Sequence, residues 1–68
     1  MKQIDARGLS CPEPVVLVQK GVQESPEGFM VLVDAMVCVE NIKRFAFARG
    51  YQLDVTENDG EYTLVLKK

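Results

Sequence analysis

The chain has 68 residues, of which 47% are hydrophobic and 26% charged, a composition typical of one small globular domain spanning residues 1–68. Its ten acidic side chains outnumber its eight basic ones, so direct nucleic-acid binding, which normally needs a basic excess, is not expected. The longest apolar run, 29–33, is far shorter than the roughly 20 residues that span a bilayer, and no signal-peptide core follows Met1. The sequence therefore predicts a cytoplasmic protein with no membrane contact.

The first half of the chain predicts a strand, a helix and a second strand. A short strand is expected over residues 3–6 and a helix over residues 12–24. Residues 25–28 form a turn, because their proline pre-sets the second turn position and disfavours helix at the residue before it. The apolar run 29–33 then predicts a buried strand. Residues 15–18 alone would favour a strand by propensity, whereas the nearby prolines and the polar residues that follow favour the helix.

A second helix and a hairpin are predicted for the rest of the chain. Apolar residues spaced by three and four positions indicate a helix over about 37–49, and Gly50 is a natural residue just past its end. No residue that typically caps a helix stands immediately before this periodic run. Residues 51–56 then alternate between apolar and polar, and Asp59-Gly60 is a typical two-residue turn, so the chain closes with an antiparallel hairpin.

Pairing outward from that turn predicts the register of the hairpin. Polar residues then face polar ones and apolar residues face apolar ones: Asn58 opposite Glu61, Thr56 opposite Thr63, Val55 opposite Leu64 and Leu53 opposite Leu66. With the order strand, helix, strand, helix, strand, strand, right-handed crossovers put both helices on one face of the sheet. The predicted fold class is an α+β two-layer sandwich, β-α-β-α-β-β.

The segment Cys11-Pro12-Glu13-Pro14 carries the chemistry that the sequence suggests. If Cys11 is the N-cap of the first helix, both prolines fall in the first turn, where a missing N–H deletes no helical hydrogen bond. The positive end of the helix dipole would then favour the reactive thiolate, and likewise a persulfide anion. Glu13 opposes this effect with its own negative charge, and Arg7 is near enough in sequence to balance it.

Other candidates are weaker or excluded. Two cysteines and no histidine cannot complete a tetrahedral zinc site or a Cys-His dyad. The alternative for Cys11 is a capping residue without chemistry. Cys38 is interpreted as a small apolar filler of the second helix, with a secondary, resolving thiol as the other option. Asp5 is interpreted as a turn residue in preference to a catalytic base.

Residues 4–14 resemble the opening motif of the TusA/SirA-like sulfur-carrier family, a strand followed by a Gly-Leu-x-Cys-Pro-x-Pro turn and a helix. The turn at 25–28, Asp34 and the closing hairpin also stand where that family has them. Residues 40–46 with Gly50-Tyr51 look most like the YedF-type branch, whose members often carry a second domain. The family motif falls on eight residues of this chain: Asp5, Arg7, Gly8, Leu9, Cys11, Pro12, Glu13 and Pro14.

The resemblance implies that Cys11 accepts sulfane sulfur from a donor such as a cysteine desulfurase and passes it to an acceptor protein, with no metal or organic cofactor. It also implies the strand order 1-2-4-3. In the family such relays serve transfer-RNA thiolation, cofactor assembly, or sulfur and selenium metabolism. The alternative function is a non-catalytic module that docks a partner through the Cys-Pro-x-Pro turn. Residues 34–39 are more apolar than is usual for the family, which bears on the partner more than on the fold.

Overall fold

The computed structural model describes residues 2–8 and 13–68. These residues form two helices and four strands: β1 (Lys2–Asp5), α1 (Glu13–Glu24), β2 (Gly28–Val33), α2 (Met36–Ala48), β3 (Gln52–Asn58) and β4 (Glu61–Lys67). All six predicted elements are present; the first two strands and both helices begin and end within one described residue of prediction, and β3 extends two residues beyond the predicted 51–56. The strand prediction for 3–6 is shifted by one position, although the Ala6 N–H still bonds to the Leu32 carbonyl at 2.8 Å.

The four strands form one mixed sheet in the order β1-β2-β4-β3. β1 and β2 are parallel, while β4 is antiparallel to both of its neighbours, β2 and β3. The hairpin register agrees with prediction at every pair named above. Asp59 and Gly60 both have positive φ, 52° and 81°, as a tight hairpin turn of the mirror-image type requires.

The hydrophobic core lies between one face of the sheet and the two helices. Alternate residues of β2 and β4 are completely buried: Phe29, Val31, Val33, Leu64 and Leu66. The same cluster contains buried side chains from α1 and α2, so both helices cover this one face. The structure thus confirms the α+β two-layer sandwich.

The second helix begins and ends much as the sequence predicts. Its N-cap, Ala35, provides no side-chain hydrogen bond, in keeping with the missing capping residue. At its other end the Arg49 N–H bonds to the carbonyls of Phe45 and Ala46, and Gly50 follows with φ of 79°. Neither α1 nor α2, as far as the structure describes them, is long and apolar enough to cross a membrane.

The topology gathers several chain segments at one end of the sheet, which we call the motif end. The parallel strands β1 and β2 both finish there, and α2 begins there directly afterwards. Tyr62 of β4 pairs with Val33, the last residue of β2, so the β3–β4 turn lies at this end as well. Residues 6–8, which follow β1 and precede the cysteine motif in the chain, lie at the same end.

Candidate functional site

Part of the predicted site lies outside the described residues. The predicted site residues Leu9, Cys11 and Pro12 are not described, and nothing is described for the side chain of Glu13. The N-cap position of Cys11 therefore stays a prediction. The structure does describe the residues on both sides of this segment: Asp5 to Gly8 before it, and α1 after it.

Arg7 ties the loop after β1 to two carboxylates. Its Nε and Nη2 donate to the two carboxylate oxygens of Asp5, at 2.9 and 2.8 Å, in a bidentate pair. Its backbone N–H also donates to Asp5 Oδ1 at 3.1 Å, so Asp5 is the turn residue that the sequence indicates. The remaining Nη1 donates to Glu61 Oε1 at 3.2 Å, which connects this loop to the first residue of β4.

Gly8 is held by a second neighbouring segment. Its N–H donates to Asp34 Oδ2 at 2.9 Å, and Asp34 directly follows β2. Gly8 has φ of 79°, a conformation in which glycine carries no steric cost. Together with buried Ala6, which bonds to β2, these contacts attach the loop to β2 and β4 three residues before Cys11.

Pro14 and Cys38 are both core residues of the helices. The Pro14 ring is almost completely buried, so this residue contributes packing in addition to the positioning role predicted for it. Cys38 is 2% exposed and belongs to the central hydrophobic cluster. This burial supports the interpretation of Cys38 as an apolar filler and counts against a role as a second reactive thiol.

Sequence reasoning misses two residues that hold the loop after β1, Asp34 and Glu61. In the sequence, Asp34 stands out only as a position that the family shares, and Glu61 only as a residue of the hairpin. Their hydrogen bonds join positions 26 and 54 residues apart. One signal could have indicated these contacts. Acidic residues at the ends of neighbouring strands can accept hydrogen bonds from a loop at the same end of the sheet.

The Asp5 carboxyl should titrate at unusually low pH. The hydrogen bonds and charge of the Arg7 guanidinium, together with the Arg7 backbone N–H, lower the pKa of Asp5 to about 2. Because the folded-state pKa is depressed, the stabilisation is present above the unfolded-state pKa and is lost as pH falls through about 2. We expect NMR titration of the side-chain carboxyl to give a midpoint near this value.

Arg7→Gln is the matched variant for this titration. It should move the Asp5 midpoint upward, towards the ordinary value for aspartate, while the backbone N–H of residue 7 keeps it somewhat below that value. An identical midpoint in both proteins would show that Arg7 does not set this pKa.

The two thiols should differ strongly in reactivity. Cys38 can react with an alkylating reagent only after local or global opening, because it is 2% exposed in the core. We expect Cys11 to be alkylated at least about tenfold faster in the native protein, and the two rates to converge in denaturant. Mass mapping of each site over time measures both rates. Equal native rates would contradict the distinction between the two cysteines.

Comparisons with known proteins agree with this architecture. A family model described as "Sulfurtransferase TusA" matches residues 2–68. A Methanocaldococcus jannaschii protein named "Putative sulfur carrier protein" is 38% identical over 71 residues, covering all of this chain and 95% of that one. The crystal structure of a SirA-like protein from Desulfitobacterium hafniense aligns with a TM-score of 0.90 and 34% identity, over 98% of this chain and 96% of that one.

The family match and the archaeal relative both support a sulfur-carrier role, and the family implies contact with sulfur donor and acceptor proteins. The strand order seen here is the one that the SirA-like fold has. The chain therefore belongs to the TusA sulfurtransferase family.

Proposed function

We propose that this chain carries sulfane sulfur as a persulfide on Cys11, taking it from a donor such as a cysteine desulfurase and passing it to an acceptor protein. The supporting observation is the loop that precedes the cysteine motif, which is bonded to Asp34, to Glu61 and to the β2 backbone. A carrier must present one atom to a succession of partners, and such anchoring suits that task. No metal or organic cofactor takes part in this relay.

The two transfer steps are chemically equivalent. In loading, the Cys11 thiolate attacks the outer sulfur of the donor persulfide; the new S–S bond forms as the donor S–S bond breaks, and the donor leaves as a thiolate. In unloading, an acceptor nucleophile attacks the outer sulfur of the Cys11 persulfide. The bond between the two sulfurs breaks, the outer sulfur stays on the acceptor, and Cys11 leaves as a thiolate. Electrons and atoms balance without an external oxidant.

The motif residues divide between reaction and positioning. Cys11 is the reacting residue, and the N-terminal dipole of α1 favours its thiolate and its persulfide anion. Pro12 and Pro14 restrict the backbone around it, and Pro14 is also packed into the core. Leu9 and Glu13 complete the motif beside the cysteine.

The acceptor that we propose belongs to transfer-RNA thiolation, cofactor assembly, or sulfur or selenium metabolism in the cytoplasm. The assignment to the YedF-type branch, which would favour the last of these, stays a prediction. A direct comparison of sulfur and selenium loading on Cys11 would address it.

The central test is intact-mass spectrometry after incubation with a cysteine desulfurase and cysteine. Wild type should gain the mass of one sulfur, reversible by a thiol reductant, and Cys38→Ala should gain the same mass. Cys11→Ser should gain none while retaining the wild-type fold by circular dichroism. Wild-type loading in Cys11→Ser would contradict the proposal, and donor binding without any loading of wild type would favour the docking-module alternative.

A further inference from the structure

Exposed apolar side chains are concentrated near the cysteine motif. Among the described residues, five large apolar side chains are exposed, and three of them lie in the first turns of the two helices. These three form what we call the helix-start patch: Val16 of α1, 45% exposed, and Met36 and Val37 of α2, 51% and 60% exposed. The two helices pack against each other, α2 begins at the motif end, and α1 begins two residues after Cys11 in the chain.

The charges at the motif end are mostly negative. At the motif end of the described structure, Arg7 is the one cation among five carboxylates: Asp5, Asp34, Glu57, Asp59 and Glu61. Glu40, one helical turn after Met36, adds another. The opposite end of the sheet carries four cations, Lys2, Arg49, Lys67 and Lys68, with the carboxylates Glu24 and Glu27 beside them. A protein of net charge −2 is thus strongly polarised, with its negative end at the motif.

We infer that the helix-start patch docks the sulfur-donor protein, and that the donor presents an apolar surface surrounded by lysine and arginine. This inference rests on the proposed function, since it concerns the partner that loads Cys11. Covering three exposed apolar side chains with a partner's apolar surface removes them from water, which favours docking. The surrounding carboxylates favour a basic partner and disfavour an acidic one.

The carboxylates and the helix-start patch contribute to different stages of docking. Charges that remain partly hydrated at the rim mainly accelerate encounter, and their effect falls as salt screens them. Apolar side chains at the centre mainly slow dissociation, and their effect persists at high salt. The two contributions can therefore be measured separately through the salt dependence of sulfur transfer.

The charge test uses the rate of sulfur transfer from a persulfide-loaded cysteine desulfurase. We call Glu40 and Glu57 the rim carboxylates. Neutralising both, by Glu40→Gln with Glu57→Gln, should slow transfer about three- to tenfold at low salt. The difference should nearly vanish at 1 M salt, where the Debye length is about 3 Å. The matched control, Glu24→Gln with Glu27→Gln, makes the same change in net charge at the opposite end and should stay near the wild-type rate.

The patch test replaces apolar groups by polar groups of similar size. Met36→Gln with Val37→Thr should slow transfer about fivefold or more at both low and high salt, as expected for residues at the centre of an interface. The matched control is Phe47→Gln with Val55→Thr, which alters the two exposed apolar residues outside the patch. That control should transfer sulfur at the wild-type rate.

A small uncharged persulfide provides the reference for Cys11 itself. All these variants should be loaded by it at the wild-type rate, because no docking is involved. Equal transfer from the desulfurase by patch, rim and control variants, with no salt dependence, would overturn the docking surface while leaving the carrier function intact. Failure of wild type to accept sulfur from either donor would instead contradict the carrier function.

Discussion

Replacing Gly28 with alanine is expected to unfold much of this protein, with a loss of about 3 kcal/mol or more in the free energy of unfolding. Gly28 has φ of 147°, which side-chain-bearing residues rarely adopt. A Cβ atom there would lie 2.7 Å from the Leu66 carbonyl oxygen, on the strand paired with β2. That contact is to backbone, so relief requires β2 and β4 to separate.

The expected loss is large relative to the stability of such a small domain. At about 0.05–0.15 kcal/mol per residue, a chain of 68 residues has a free energy of unfolding of only about 3–10 kcal/mol. Urea denaturation followed by circular dichroism measures the change directly. Gly60→Ala is the matched control: Gly60 also has positive φ, but nothing lies within 4 Å of its added Cβ. It should cost about 1–2 kcal/mol for the backbone conformation alone, and an equal loss in both variants would show that the contact with Leu66 is unimportant.

The hairpin was predictable from the sequence because its signals are local. Alternation over 51–56 assigns each side chain to a face, and Asp59-Gly60 fixes the turn, so only one register keeps both patterns in agreement. The first helix was also predicted correctly, although its run of valines favours a strand. There Pro14 in the first turn and burial of one face outweigh residue propensity.

The positions of the strands relative to one another could not be predicted from these local signals. The order 1-2-4-3 followed from the family resemblance, since no pattern within the strands specifies their neighbours. Gly28 looked like a turn residue, yet it is the first residue of β2 and allows close approach of β4. Its requirement for glycine depends on Leu66, 38 positions along the chain, and local sequence reasoning does not detect such pairs.

The same limit applies to the candidate site. The motif itself identifies Cys11, and the local sequence identifies Asp5 as a turn residue. The contacts that attach the loop to the sheet come from Asp34 and Glu61, which are brought to it only by the parallel arrangement of β1 and β2 and by the position of β4. Sequence thus predicts a reacting residue, whereas the residues that hold the loop before it are seen only in the fold.

Asp34→Ala should separate sulfur transfer from stability. It removes the acceptor for the Gly8 N–H, so the loop before Cys11 loses its bond to Asp34 and keeps only those of Ala6 and Arg7. Both groups are exposed, and water can replace the lost bond, so the free energy of unfolding should fall by only about 1 kcal/mol. Transfer from a desulfurase should slow roughly ten- to hundredfold, because small displacements of a reacting group have large effects on rate.

Asp34→Asn distinguishes the hydrogen bond from the charge, because the amide oxygen can still accept from the Gly8 N–H. We expect it to recover most of the wild-type transfer rate at high salt, where loss of a rim charge has little effect. Asp54→Ala removes another exposed carboxylate, one that pairs with Lys67 on the sheet, and should leave transfer unchanged. If Asp34→Ala transferred sulfur as fast as Asp54→Ala, the attachment of Gly8 would be structural only, and presentation of Cys11 would depend on the helix and its prolines.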